Sequence, residues 1–561
     1  MKRCPKCRRD YFDDSLAFCL DDGERLLEGP APDGSPTELM PGVATSDEPT
    51  TLALHDAVTT AEIQPKTKRA GPLLALTIAV ILLAGFGWLA YSYYGAKSSQ
   101  IESIAVMPFV NTGGNPDIEY LSDGITESLI NSLSQVPTLS VKARSSVFTY
   151  KGKDVTPQQV AKDLTVQAVV TGRIVQRGDQ LIMNVDLVEA ATGNSLWGDQ
   201  YTRAMTDLIP LQNEIAHDVS AKLRSKLVGR GQMPKNYTEN TEAYKLYLRG
   251  RYHWNKRTPD DSKKSVEYFQ QAIDTDPTYA LAYAAMAEAY ILIPGFGIES
   301  QAEYYARARA AATKALEIDE SLAEAHNALA AVLKGQDWKF SEAEAEWRKA
   351  IELNPNYASA HQWYGEFLVS MGRNRDALAE MRRAQELDPL SLIINGILGM
   401  TLSQNGLHEE ALVQLKKTLE MDPNFPRTHI YLAEVYQNMG RFDEAADEFA
   451  KLFVMGGGGS PEQGAQLASL VKRAARIAGE KGYSRAMAEL LSSDLRGART
   501  PASVLAGFWG RAGEPDKAFA ILEKAYLEHD DSVVMLKAPR MDSLKGDPRY
   551  KDLLRRVGLP E

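Results

Sequence analysis

Three glycines, Gly372, Gly406 and Gly440, stand 34 residues apart, and Pro355, Pro389 and Pro423 keep the same step. A fixed period of this length, with two helical patterns in each period, constrains the fold strongly. Each helix pair has an apolar face that only the next pair can bury, so the pairs must stack into a solenoid. Individual residues explain the register. A small residue in each first helix (Ala330, Gly365, Gly399, Ala433) lets the second helix approach, and a later alanine (Ala377, Ala411, Ala445) does the same from the other side. The glycine ends the first helix, and the proline prevents the second from continuing. Six units are expected over residues 240–455, with an insert around ILIPGFGIES lengthening the second. The run GGGGS at 456–460 breaks the pattern. Degenerate repeats are expected over 462–530 and a C-terminal capping helix over 538–561, because a terminal repeat needs a polar outer face.

The stretches IELNPNYASAHQWYGEFLVSMGRNRDALAEMRRAQELDP and LAEVYQNMGRFDEAADEFAKL resemble the tetratricopeptide repeat family. A superhelix of this kind presents a concave face built from the first helices. Residues three before, one after and four after the small residue should line it: Glu288, Asn327, Lys334, Gln362, Glu366, Ser403, Glu434 and Gln437. That polar, slightly acidic surface suits a protein or peptide partner, though solvated helix positions read the same way. His326, His361 and His429 share one register, four residues before the small residue. They fall on separate helices, so they are expected to pack and not to hold a metal ion.

Ala70–Ala96 carries no charged residue over 27 positions. A bilayer core of about 30 Å needs ~20 helical residues, so this run reads as one transmembrane helix. Lys66, Lys68 and Arg69 precede it and Lys97 follows, with Trp88, Tyr91, Tyr93 and Tyr94 near its second end. The positive-inside rule then keeps the N-terminus cytoplasmic and places the chain from about residue 97 outside, as in a single-pass protein of a bacterial inner membrane. Ala75 and Ala79 make a small-xxx-small pair of the type that supports a homodimer, although plain lipid-facing residues give the same pattern.

All three cysteines lie near the start: Cys4, Cys7 and Cys19. The first two form a C-x2-C knuckle, and Asp22 follows Cys19 at the same spacing, with Asp21 as the neighbouring alternative. Two such knuckles aim four ligands at one ion, so residues 1–26 read as a small ribbon holding structural zinc. The segment resembles the zinc ribbons that begin many bacterial membrane proteins, and it departs from them at Asp22. Residues 27–69 are expected to be a proline-rich acidic linker.

Residues 101–229 show the order βαβαβββα of a compact α/β domain. Ile125, Leu129 and Leu133 mark one helical stripe and Leu211, Ile215, Val219 and Leu223 another, the second helix capped by Thr206. Leu181, Met183, Val185 and Leu187 alternate with the residues between them as a half-buried strand should. The motifs IAVMPFVN, YLSDGITESLINSLS, VKARSSVFTYKGK and LWGDQYTR resemble the TolB amino-terminal-like (FlgO-type) domain. That resemblance implies a non-catalytic domain outside the cytoplasmic membrane.

The fold class is therefore multidomain: zinc ribbon, transmembrane helix, α/β domain and an all-α solenoid. The net charge of −11 argues against nucleic acid as a general partner. No G-x-S-x-G, H-E-x-x-H or phosphate-loop signature is present. The expected function is a non-enzymatic membrane scaffold or signalling protein that binds protein partners through an extracytoplasmic repeat array. The alternative is a membrane-tethered transcriptional regulator whose basic ribbon touches DNA.

Overall fold

Helix ends in the array fall where the periodic residues put them. In this computed structural model, the described residues are 2–3, 10–11, 27–28 and 101–560, apart from 115–117, 137, 225–237, 257, 297–300 and 494–499. First helices run Thr241–Asn255, Ala280–Leu292, Ala323–Gly335, Ala358–Ser370, Leu392–Gln404 and Pro426–Asn438. Their partners run Pro259–Thr275, Gln301–Ile318, Phe340–Leu353, Asn374–Leu387, His408–Met421 and Phe442–Met455. These are units one to six. Gly372, Gly406 and Gly440 sit at φ 75°, 80° and 72°, the left-handed conformation that ends each first helix. A Cβ on Gly399 would lie 2.5 Å from Leu415 and one on Gly365 2.9 Å from Met381, so the small residues are there for close approach. Ala377, Ala411 and Ala445 are fully buried opposite them.

The break at 456–460 is followed by Pro461–Ser492, capped by Ser460 and bent where Ala478 and Gly479 leave helical geometry. The expected degenerate pair is thus two helical stretches on one bent axis. A regular pair follows, Ala502–Arg511 and Pro515–Leu527. Next come two 3-10 segments, Asp531–Lys537 and Pro539–Leu544, and the helix Pro548–Val557.

The chain divides into two compact units, Met1–Gly87 and Trp88–Glu561. In the first, Lys2–Arg3 pairs antiparallel with both Asp10–Tyr11 and Leu27–Glu28. The third strand lies just past the 1–26 boundary and inside the stretch expected as linker. Cys4, Cys7, Cys19, Asp21, Asp22 and the run 70–96 lie outside the described residues. Among the described residues no helix is long and apolar enough to cross a membrane, and no group of three His, Cys, Asp or Glu could hold a metal ion.

The α/β part has the sheet order Ser140–Val141, Ser103–Val106, Ala168–Arg177, Gln180–Glu189, Ser195–Ala204. The first three strands are parallel and the last three antiparallel. Leu181, Met183, Val185 and Leu187 are buried, as their alternation requires. Helices Glu119–Ser134 and Leu208–Arg224 bury their expected stripes, and Thr156 caps Pro157–Leu164.

Three details depart from the sequence reading. The run IAVMPFV is split by Pro108, which cannot donate to a ladder, and Val110–Asn111 forms a separate short strand beside Ala168–Arg177. Arg144–Phe148 is an extra one-turn helix with no periodic signal. The helix expected to be capped by Thr206 begins at Leu208. The carbonyl of Asp207 takes its first helical bond, from Leu211 N at 3.1 Å, and the Thr206 hydroxyl donates to the Asp207 side chain instead.

The larger departure is tertiary. The core of the α/β domain continues without a break into units one to three of the array. A Cβ on Gly124 would lie 2.7 Å from Leu248, so helix Glu119–Ser134 lies directly against the first helix of unit one. A second core joins units three and four to residues 488–559. The array is therefore closed by its own C-terminal segment, which does more than cap the last repeat.

Candidate functional site

The concave face is the natural site of an array, and the chain itself occupies much of it. Glu288 is 4% exposed. Its carboxylate accepts from the Tyr357 hydroxyl and lies 3.5 Å from Arg251 Nη1. Asn327 is fully buried, with Oδ1 accepting from Trp347 Nε1 at 3.1 Å. Ser403 is buried 3.0 Å from His408 Nδ1, and Gln437 is buried as well. Glu434 pairs with Arg540 of the C-terminal segment at 3.2 Å. Gln362 donates to Glu366 at 3.0 Å, and both are half-buried, as is Lys334. The eight expected groove residues are thus buried or half-buried and do not present an open polar channel.

Filling from the C-terminal side is specific. Gly507 and Gly510 lie one and four residues after Ala506, the concave register of the last pair. A Cβ on them would lie 3.2 Å from Arg540 and 2.7 Å from Ser543. At the far end of the segment's path, His529 donates from Nε2 to Gln336 O at 2.8 Å, and its ring stacks on Trp338 at 3.9 Å. Trp338 stands 34 residues before Gly372, where the register calls for glycine, and it keeps the left-handed turn at φ 54°. A non-glycine residue there costs about 1 kcal/mol, which the stack offsets.

On the N-terminal side a charge network ties the α/β domain to unit one. Glu127 accepts from Arg251 Nε at 2.6 Å and from Asn255 at 2.8 Å, and it lies 3.0 Å from Arg144 Nε. Burial would raise the Glu127 carboxyl, but Arg251 and Arg144 together hold it below the usual range. Periodicity alone could not reveal Glu127, because it sits on another domain. Glu324 was also missed. It lies six before Ala330 in unit three, and burial, with Glu288 nearby, pushes its carboxyl up to about 7.

A latch secures the loop between units four and five. Ala143 N donates to Leu387 O at 2.8 Å, and Asp388 accepts from the hydroxyls of both Ser145 and Ser146, the latter at 2.6 Å. Burial raises the Asp388 carboxyl despite these donors. Asp388→Ala should therefore cost about 2 kcal/mol by stranding two hydroxyls, and Asp388→Asn clearly less, because it also removes a buried charge. Urea unfolding of the two variants checks this; equal costs would contradict it.

The three register histidines pack, as their spacing implies, and they form a repeated polar staple. His326, His361 and His429 each place Nδ1 on a second-helix carboxylate (Glu346, Glu380, Glu448) and Nε2 on a carbonyl of the preceding turn. Unit five makes the same pair of contacts with neutral groups: Asn395 donates to Pro389 O and accepts from Gln414. Burial lowers the His326 ring pKa, but Glu346 and the Glu320 carbonyl outweigh it and raise the ring above its ordinary 6.5. A raised folded pKa gives stability that is complete below the ordinary value and lost as pH climbs through the folded one. The pair substitution His326→Asn with Glu346→Gln should flatten that loss, seen by comparing urea midpoints at about pH 6 and about pH 9.

Residues 334–391, 367–426 and 402–453 match family models of the tetratricopeptide repeat. The helical array is a tetratricopeptide array. Residues 99–218 match the model of the HilA/YgeH-like transcriptional regulator, second domain. The resemblance to a FlgO-type domain rests on the quoted motifs alone. A putative adenylate cyclase 3 of Rhizobium meliloti is 32% identical over 188 residues, covering 33% of this chain and 32% of that protein. The transcriptional regulator HilA of Salmonella typhimurium is 22% identical over 289 residues, half of each chain. The tetratricopeptide chain thus spans only a third to a half of the curated relatives it matches. Among solved structures, PilW, described as a type IV pilus biogenesis factor, is 19% identical with a TM-score of 0.32 over 38% of this chain and 94% of that one. MamA is 23% identical with a TM-score of 0.23 over 30% and 93%.

Proposed function

We propose that the protein is a non-enzymatic scaffold in which the α/β domain and the tetratricopeptide array act as one recognition body for protein partners. The observation that carries this reading is the matched repeat array, whose units are built for stacking and surface presentation. The charge-free run 70–96 supports a single-pass anchor in a bacterial inner membrane, and the flanking basic residues support an extracytoplasmic body. Cys4, Cys7, Cys19 and Asp22, with Asp21 as alternative, support a structural zinc ribbon on the other side. A helix dimer through Ala75 and Ala79 belongs to the same proposal. In-cell crosslinking of the full chain should recover envelope proteins, and recovery of none would sink the reading. A reporter fused after residue 561 should be active only outside the cytoplasm.

One observation favours a second reading, a transcriptional regulator: the match of residues 99–218 to the second domain of HilA-like regulators. On that reading Lys2, Arg3, Lys6, Arg8 and Arg9 of the ribbon meet DNA. An electrophoretic shift by the zinc-loaded full chain at low salt would favour it, and no shift would remove it.

A further inference from the structure

With the concave face largely filled from within, a partner needs another surface, and one stands out where the repeat breaks. Between Phe442–Met455 and the long helix Pro461–Ser492 lies a groove of about 1070 Å³. Its floor is built of small and apolar side chains, among them Ala450, Val454 and Ala468. Its lining carries four cations, Lys451, Lys472, Arg473 and Arg476, against one carboxylate, Asp447. Three of these cations have partners: Lys451 with Glu448 at 2.8 Å, Lys472 with Asp447 at 2.6 Å and Arg476 with Asp443 at 3.1 Å. Arg473 has no ion pair among the described residues. Between Glu462 and Glu480 the long helix carries no acidic residue at all, in a chain of net charge −11.

The same helix exposes two large apolar residues seven positions apart, Leu470 at 61% and Ile477 at 75%, and Met455 at the groove's end is 37% exposed. Residues seven apart lie one above the other on a helix, so Leu470 and Ile477 form a stripe on the long helix, three and four residues from Arg473 of the groove lining. Seven apolar side chains stand out as exposed among the described residues, and three of the seven belong to these two helices. An apolar stripe beside an elongated, small-residue groove is the form that receives an amphipathic helix. A cationic rim selects one with acidic flanks.

We infer that the groove between Phe442–Met455 and Pro461–Ser492 is a docking site for an acidic amphipathic helix of a partner protein. A groove, being concave, fits a helix better than a flat bilayer, although basic residues beside Leu and Ile could also meet anionic lipid. The inference rests on the scaffold reading and names where its partner sits.

The test uses the full chain and a fluorescent synthetic peptide of about 14 residues with Leu at helical spacing and Glu on its flanks, beside a scrambled peptide of the same composition. The patterned peptide should bind saturably and more tightly than the scrambled one. Leu470→Asp combined with Arg473→Glu should weaken it by about tenfold or more, and raising the salt should weaken it further. Both positions are exposed, so the far-ultraviolet circular dichroism of the variant should be unchanged. Equal binding of both peptides, equal binding by the variant, or capture only by phosphatidylserine vesicles would overturn the inference. If the variant keeps all the crosslinked partners of the unaltered chain, the surface assignment fails and the scaffold reading stands. If the unaltered chain has no partners, the scaffold reading fails first.

Discussion

Removing residues 531–561 should abolish cooperative folding of the C-terminal half of the array. Val533, Val534, Leu536, Met541, Leu544, Tyr550, Leu553, Leu554 and Val557 are each no more than 5% exposed, and they share one core with units three and four. At about 2 kcal/mol per buried side chain the segment contributes on the order of 10–20 kcal/mol, an upper estimate. Whole domains are stable by only about 5–15 kcal/mol, so no partner peptide displaces this segment at equilibrium. Truncation also leaves Glu434 without Arg540. The measurement is limited proteolysis with urea unfolding. Cleavage should spread from Ala502–Leu527 into units three and four, and the single transition should broaden or split. A truncated chain with the same midpoint and the same protease pattern would show that the closure is incidental.

Glu127→Ala should cost about 3–5 kcal/mol, because it leaves the Arg251 and Arg144 guanidinium groups in a buried interface without their carboxylate. Arg251 retains Glu288 at 3.5 Å and the Trp254 ring, and Arg144 retains Asp123 at 4.0 Å together with the Phe148 ring. Removing both charges at once should be milder than the sum. Glu127→Ala with Arg251→Ala should recover a coupling energy of about 1–3 kcal/mol in a double-mutant cycle. The readout is urea unfolding with hydrogen exchange on helix Glu119–Ser134. Strict additivity would mean that the two side chains do not support one another. The same variants test the junction, since a network that merely decorated the surface would move the midpoint by about 1 kcal/mol or less.

Much of the fold is legible in the chain because its signals are local. A glycine 34 residues from the next forces a left-handed turn. A proline two residues past a helix stops it, and a small residue at a fixed offset admits a neighbour only a few residues away. The strand alternation at 181–187 and the stripes on the two long α/β helices are legible for the same reason. What failed was short or off-register. Arg144–Phe148 has no period of its own and forms where Ser145 and Ser146 meet Asp388, more than 240 positions away in sequence. The register of the expected groove residues does not say what lies against them.

The sequence by itself determined the helix pairs, their boundaries, the strand alternation and the inward-packing histidines, because hydrogen bonds within a turn and a periodic apolar face need no distant partner. Only the tertiary structure decided that the α/β domain and the array share a core, that residues 530–560 close the solenoid, and that the concave face is spent on internal contacts. Each of those rests on pairs far apart in the chain, such as His529 with Gln336 and Arg540 with Glu434. Their free energy comes from surface removed from water when distant segments meet, and no local pattern records it.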